Sequence, residues 1–285
     1  MGRIARTFEL AKASWQVLKA DKELVLLPVI SLVATIVVAA SFLAPILMTG
    51  DGAEIGDPGT VGYVLLFVAY VVLAFITIFF NAALVHAANE RLNGGDPTVA
   101  SGLRGALSRV HRILPWALVS ATVSIILRAI EERAGALGRI ISGLAGVAWS
   151  LVTFLVIPVL VVEDLRVGEA VKRSGALFKR TWGENVAAQV GFGLLGFIAI
   201  LPAILLIALG VAAGQTAAFV AIAVAMLWIL AVVMVLAALS GIYQTALYRY
   251  AAGLDTPGGF GGHDLAAAFA PKGGGRGFGG GIGGG

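Results

Sequence analysis

The sequence predicts an all-α protein, a polytopic membrane helical bundle of six transmembrane helices in three hairpins, each hairpin preceded by an amphipathic interface helix. Three observations carry this. Hydrophobic residues make up 59% and charged residues 13% of 285 positions, whereas soluble domains carry about 25% charge. Six apolar runs lie at about 24–48, 61–85, 111–130, 137–162, 186–213 and 216–240. Most exceed the ~18 nearly uncharged residues that span a ~30 Å hydrocarbon core. Basic amphipathic segments at about 4–22, 98–110 and 167–182 precede the first, third and fifth runs. The membrane domain thus covers 1–252, and 253–285 is expected to be a Gly-rich, mostly disordered cytoplasmic tail.

The first run begins too late and runs too long for a cleaved secretory signal, so it reads as a retained span. In the second, Asn81 is the most polar interior residue, one turn beyond Thr77, and its expected use is an interhelical hydrogen bond. The third run is short unless it extends from His111 to Ile130 with Pro115 in the first turn, where a missing N–H costs little. The fourth places Gly138, Ser142, Gly146 and Ser150 on one helical face, a small-residue stripe that lets two backbones approach closely in lipid. That stripe is expected to pack on the third span, with a homodimer contact as the alternative. Pro28, Pro45, Pro158 and Pro202 mark kinks or span ends.

Lys and Arg alternate sharply between the connecting segments. Seventeen of the 20 bases fall before the first span, between the second and third, between the fourth and fifth, and after the sixth. Only Arg128, Arg133 and Arg139 fall elsewhere. The positive-inside rule then predicts a multi-pass protein of the cytoplasmic membrane with both termini cytoplasmic. Trp15, Trp116 and Trp182 are expected in an interfacial aromatic belt.

The three basic segments also resemble one another. Glu9, Lys12, Ser14 and Lys19 match Glu169, Lys172, Ser174 and Lys179 at a constant offset, and Gly105-Ala106-Leu107 matches Gly175-Ala176-Leu177. Three units of interface helix plus hairpin follow from this reading.

The stretch Pro158-Val159-Leu160-Val161-Val162-Glu163-Asp164, followed by Glu169-Ala170-Val171-Lys172-Arg173-Ser174, resembles the signature of a broad group of uncharacterised prokaryotic membrane domains. That group is similar to the membrane region of some glycerophosphoryl diester phosphodiesterases. Tyr248-Arg249-Tyr250-Ala251 and Ala268-Phe269-Ala270 resemble one domain-of-unknown-function family within it. The resemblance implies a helical multi-span fold and brings no activity or active-site residues. The phosphodiesterase's soluble catalytic barrel has no counterpart here, so its hydrolase activity is not carried over.

Chemistry is sparse. The absence of Cys excludes disulfides, thiolate metal sites and a cysteine nucleophile. Asp, Glu, Lys and Arg are missing from span interiors, which weighs against a proton-coupled pump. His86 and Glu90 share a helix face, but two ligands fall short of a metal site. Glu163 and Asp164 are expected to pair with Lys172 or Arg173 and fix the turn before the third basic segment. No catalytic residue, cofactor or metal is therefore expected, and the chain reads as non-enzymatic. Arg276 beside Phe278 is a single copy, too little for an RNA-binding tract, so no nucleic-acid partner is expected.

The expected function is a lipid-interacting or scaffold component of the membrane. Lys12, Lys19, Arg104, Arg109, Lys172, Arg173, Lys179 and Arg180 would contact anionic headgroups on the cytoplasmic face, with a homo-oligomer or membrane complex as the expected assembly. The alternative is a transporter or channel for a neutral or lipidic solute, along a polar seam through Asn81, Ser120, Ser124 and Ser150.

Overall fold

A computed structural model of the chain describes residues 14–48, 59–133 and 135–254. These are helical almost throughout, with no strand among them. In chain order they form α1 (14–20), a 3-10 turn (Lys22–Val25), α2 (Leu26–Met48), α3 (Gly59–Leu92), α4 (Val99–Ser108) and α5 (Val110–Arg133). Then come α6 (Gly135–Thr153), α7 (Val156–Val162), α8 (Val167–Ala212) and α9 (Gln215–Ala252). Six stretches are long and apolar enough to cross a membrane: Lys22–Ala44, Gly62–Leu92, Val110–Arg133, Gly138–Val162, Val190–Ala212 and Gln215–Ala252. Their outer faces carry exposed aliphatic residues such as Ile36, Leu144 and Leu227, as lipid-facing helices require. This is a multi-pass membrane protein.

Helix α2 packs on α3, α5 on α6, and α8 on α9, the most extensive pair. The third helix is central, touching α2, α4, α5, α7 and α9. Its last turns, Ala82 to Leu92, are buried with Leu24, Leu27, Ile113, Trp116, Leu155 to Val161 and the stretch from Ala238 to Ala251. The core therefore gathers at one end of the bundle, the end that carries most of the Lys and Arg. Gly102 lets α4 lie flat on α3 there. A Cβ at that position would sit 2.8 Å from the Ala83 carbonyl oxygen, inside contact distance.

Several boundaries differ from the sequence expectation. The predicted interface helix at 167–182 and span at 186–213 form one 46-residue helix, α8, about 69 Å long at ~1.5 Å per residue. Nothing between 182 and 186 breaks a helix, because Gly183 and the polar residues beside it lower helix propensity without removing a backbone donor. The predicted span at 137–162 is instead divided at Phe154 and Leu155 into α6 and α7. Pro158 has no N–H for the carbonyl of Phe154, and the side-chain amide of Gln244 on α9 donates to that carbonyl instead. Ser174 on α8 repairs the rest of the break: its hydroxyl donates to the Val152 carbonyl at 2.5 Å and accepts from the Leu155 N–H at 3.2 Å. Pro115 lies one turn inside α5, which begins at Val110, and not in its first turn.

Trp116 also departs from expectation. It is buried and stacked on Trp149 of α6, with centroids 5.9 Å apart, because the α5 face it occupies meets α6 rather than the headgroup layer. Trp15 is exposed, with the Lys19 ammonium 5.6 Å from its ring centre. The matched basic segments bury the same face: Ser14 and Val17, like Ser174 and Leu177, are buried, while Lys19 and Lys179 are exposed.

Candidate functional site

The chain turns from α7 into α8 through Glu163 and Asp164, and these two carboxylates organise the basic end. Asp164 adopts φ 54°, a left-handed conformation that Asp tolerates better than most residues with a side chain. Reversing the chain there points its carboxylate at the junction of α4 and α5. The Arg109 guanidinium lies 2.5 Å from one oxygen, while Arg112 Nε donates to the other at 3.1 Å. His111 Nε2 stands 3.5 Å from that second oxygen. The hydrogen bond from Arg112, reinforced by the Arg109 charge, holds the Asp164 carboxyl below the usual carboxylate range.

Glu163 faces the opposite way. It accepts from Arg173 Nε at 3.1 and 3.2 Å, and from the Tyr248 hydroxyl at 3.0 Å. One residue along α9, Arg249 is buried and donates to Asn89 Oδ1 on α3 at 2.8 Å. The Glu163–Asp164 dipeptide thus ties α8 and α9 through one carboxylate and the α4–α5 junction through the other.

A second set of contacts fastens the start of the chain. Asp21, almost fully buried, lies 2.9 Å from Arg91 Nε at the end of α3. Burial raises the Asp21 carboxyl above its ordinary value, and the Arg91 charge offsets part of that rise. Glu90 accepts from the Ser101 hydroxyl at 2.7 Å, and Glu23 from the Val99 N–H at 3.4 Å. With the reciprocal Thr98 and Ser101 bonds of 3.0 Å, these anchor the first turn of α4.

The expected lipid-contacting bases divide accordingly. Arg109 and Arg173 point inward onto Asp164 and Glu163, whereas Lys19, Arg104, Lys172 and Lys179 are exposed at the same end. Lys12 lies outside the described residues, as does the Arg180 side chain. The expectation for Glu163 is met by Arg173, ten residues on, while Asp164 pairs with Arg109 and Arg112 across the fold. The tail from 255 onward falls outside the described residues.

Within the spans, Gly138 and Ser142 are buried, and a Cβ on half-buried Gly146 would meet Leu127 of α5 at 3.9 Å. Ser150, further along the same α6 face, is exposed. Asn81 lines a groove of about 560 Å³ between α2, α3 and α9, together with Thr77 and Gln244. Ser120, Ser124 and Ser150 do not line that groove, so the four residues of the expected seam do not converge there. Among the described residues no three His, Cys, Asp or Glu side chains gather as a metal site.

Sequence reasoning missed Tyr248, Asn89, Asp21 and Arg91, whose partners lie 70 to 160 positions away. Only the motif around Tyr248 and Arg249 hinted at them. One family description, a family of unknown function (DUF6159), matches residues 60–259, from the start of α3 to just beyond α9. No curated protein and no solved structure matches the chain.

Proposed function

We propose that this chain, which belongs to the DUF6159 family, is a non-catalytic component of the cytoplasmic membrane that holds anionic lipid headgroups at its basic end. The observation that carries the reading is the division of the bases: the carboxylates are met by inward-facing arginines, leaving Lys19, Arg104, Lys172 and Lys179 exposed around them. Each such base near an anionic surface contributes about 1 kcal/mol, so four cooperating bases retain a headgroup layer. In this arrangement the three hairpins stand in the bilayer, α1 and α4 lie at the cytoplasmic interface, and the first half of α8, continuous with its span, rises from the membrane on that side, with both termini cytoplasmic.

Replacing Lys19, Arg104, Lys172 and Lys179 together by Gln is the test. Native mass spectrometry of the purified variant should show loss of bound phosphatidylglycerol, and unchanged retention would sink the reading. Orientation is testable separately, because the chain has no Cys. A membrane-impermeant thiol reagent added outside intact cells should label a Glu131→Cys variant and spare a Lys19→Cys variant.

A second reading, a carrier of a neutral or lipidic solute, draws support from the groove beside Asn81. Its geometry favours binding over passage, since the polar residues expected to continue the path lie elsewhere.

A further inference from the structure

The geometry points to a membrane-embedded binding site for a neutral, hydroxyl-bearing lipid of the diacylglycerol type in the groove between α2, α3 and α9. Three helices each contribute two polar residues four positions apart: Ser31 and Thr35, Thr77 and Asn81, Ser240 and Gln244. Spacing of four puts both members of a pair on one face, about 6 Å apart along the axis. All six line the same groove of about 560 Å³, a volume within the ~300–1,000 Å³ of small-molecule sites. The remaining walls are apolar.

Depth makes this lining informative. Asn89, held by Arg249, marks the basic end of α3. Asn81 lies eight residues further into the span, about 12 Å, and Thr77 about 18 Å. Polar groups at that depth have no water and need partners. Thr77 donates to the Leu73 carbonyl at 3.0 Å, and the Gln244 amide nitrogen is used by Phe154. Both keep an acceptor oxygen. The side chains of Ser31, Thr35, Asn81 and Ser240 have no hydrogen-bond partner among the described residues. Asn81 is held at the groove by the close approach of α3 and α9, where the missing side chain of Gly241 leaves room for Leu84.

The lining selects the ligand. It presents hydroxyls and a carboxamide, which match ester carbonyls and a free hydroxyl. It contains no Lys, Arg, Asp or Glu, so a phosphodiester placed there would be buried without a counter-charge. Thr77 is exposed, so the groove opens onto the lipid face, and acyl chains can lie along α2 beside Val33 and Ile36. This site uses none of the bases in the preceding proposal and stands or falls independently of it.

The test reconstitutes the full chain in vesicles of phosphatidylethanolamine and phosphatidylglycerol containing a photoactivatable diacylglycerol, and maps the labelled peptides. Labelling should concentrate on the groove segments of α2, α3 and α9 and be competed by unlabelled diacylglycerol but not by added phosphatidylglycerol. Thr35→Val combined with Ser240→Ala keeps the volume nearly constant and removes two hydrogen-bonding groups. It should lower labelling about tenfold, the consequence of losing ~1.4 kcal/mol. Leu144→Ala, exposed on α6 and outside the groove lining, should leave labelling unchanged. Label spread evenly over exposed helix faces, equal competition by phosphatidylglycerol, or full labelling of a folded double variant would each overturn the proposal. The wild-type competition decides the matter even if the double variant does not fold.

Discussion

The two ends of this bundle are built on different principles. At the basic end eight helices meet around a common core, and buried polar side chains are paired across the fold, as with Arg249 to Asn89 and Glu163 to Tyr248. At the other end, helices associate mainly in pairs, and long stretches of α2, α3, α8 and α9 expose Val33, Leu65, Leu205 and Leu227. The difference follows from the solvent. Lipid tails satisfy an apolar side chain as well as a neighbouring helix does, so apolar faces there need not be covered. Backbone and side-chain polar groups get no such relief, and the sites of broken hydrogen bonding are where the structure becomes dense. The contrast teaches where this fold keeps its specificity, and substitutions placed along it should grade accordingly.

The largest expected effect is at Gly241. Gly241→Leu forces α9 away from Leu84 on α3, and overpacking of this kind costs ~3 kcal/mol. A melting curve in detergent should show a strongly lowered midpoint, and an unchanged one would mean that the close approach is unimportant. Gln244→Leu should come next, costing about 2 kcal/mol, because the Phe154 carbonyl left open by Pro158 then has no donor. Pro158→Ala in the Gln244→Leu background restores an N–H and should recover part of the loss, which distinguishes capping from general packing.

The acid response follows from the two carboxylates with opposite shifts. Asp164 is held below the ordinary range, so its contribution is full above the unfolded carboxyl value and is lost as pH falls through the lower folded one. Asp164→Asn should therefore lower stability at neutral pH and flatten the acid limb of the melting profile. Asp21, raised by burial, behaves inversely: it opposes folding once pH rises past the unfolded value. Asp21→Asn should remove that inverse dependence, leaving Arg91 with the more distant Asp96 at 4.0 Å. A pH series of melting midpoints for the wild type and both variants checks the two signs together.

The smallest effect is expected at the lipid-facing end, where Leu227→Ala should change stability by no more than ~0.5 kcal/mol in lipid nanodiscs. A loss comparable to that of Gln244→Leu would erase the contrast between the two ends.

Legibility in the sequence tracked the range of each interaction. The spacing of Gly138, Ser142, Gly146 and Ser150 is local and places them all on α6, whereas which of them a neighbouring helix covers is not local, and Ser150 is left exposed. Arg109 and Arg173 looked like lipid-facing bases since nothing nearby in sequence announces that carboxylates reach them. The Arg109 partner is 55 positions away, and the inward turn of Asp164 depends on a left-handed backbone conformation.

Composition and periodicity alone determined that the chain is helical, spans a membrane several times and gathers its bases into alternate connecting segments. Those are properties of single helices, set by the length of an apolar run and by the cost of moving charge into lipid. Only the tertiary structure decided which bases are neutralised, which carbonyl Gln244 caps and which polar residues share a groove. These outcomes depend on the register between helices far apart in the chain, where a shift of one residue rotates a side chain by about 100° and turns a partner into a stranger.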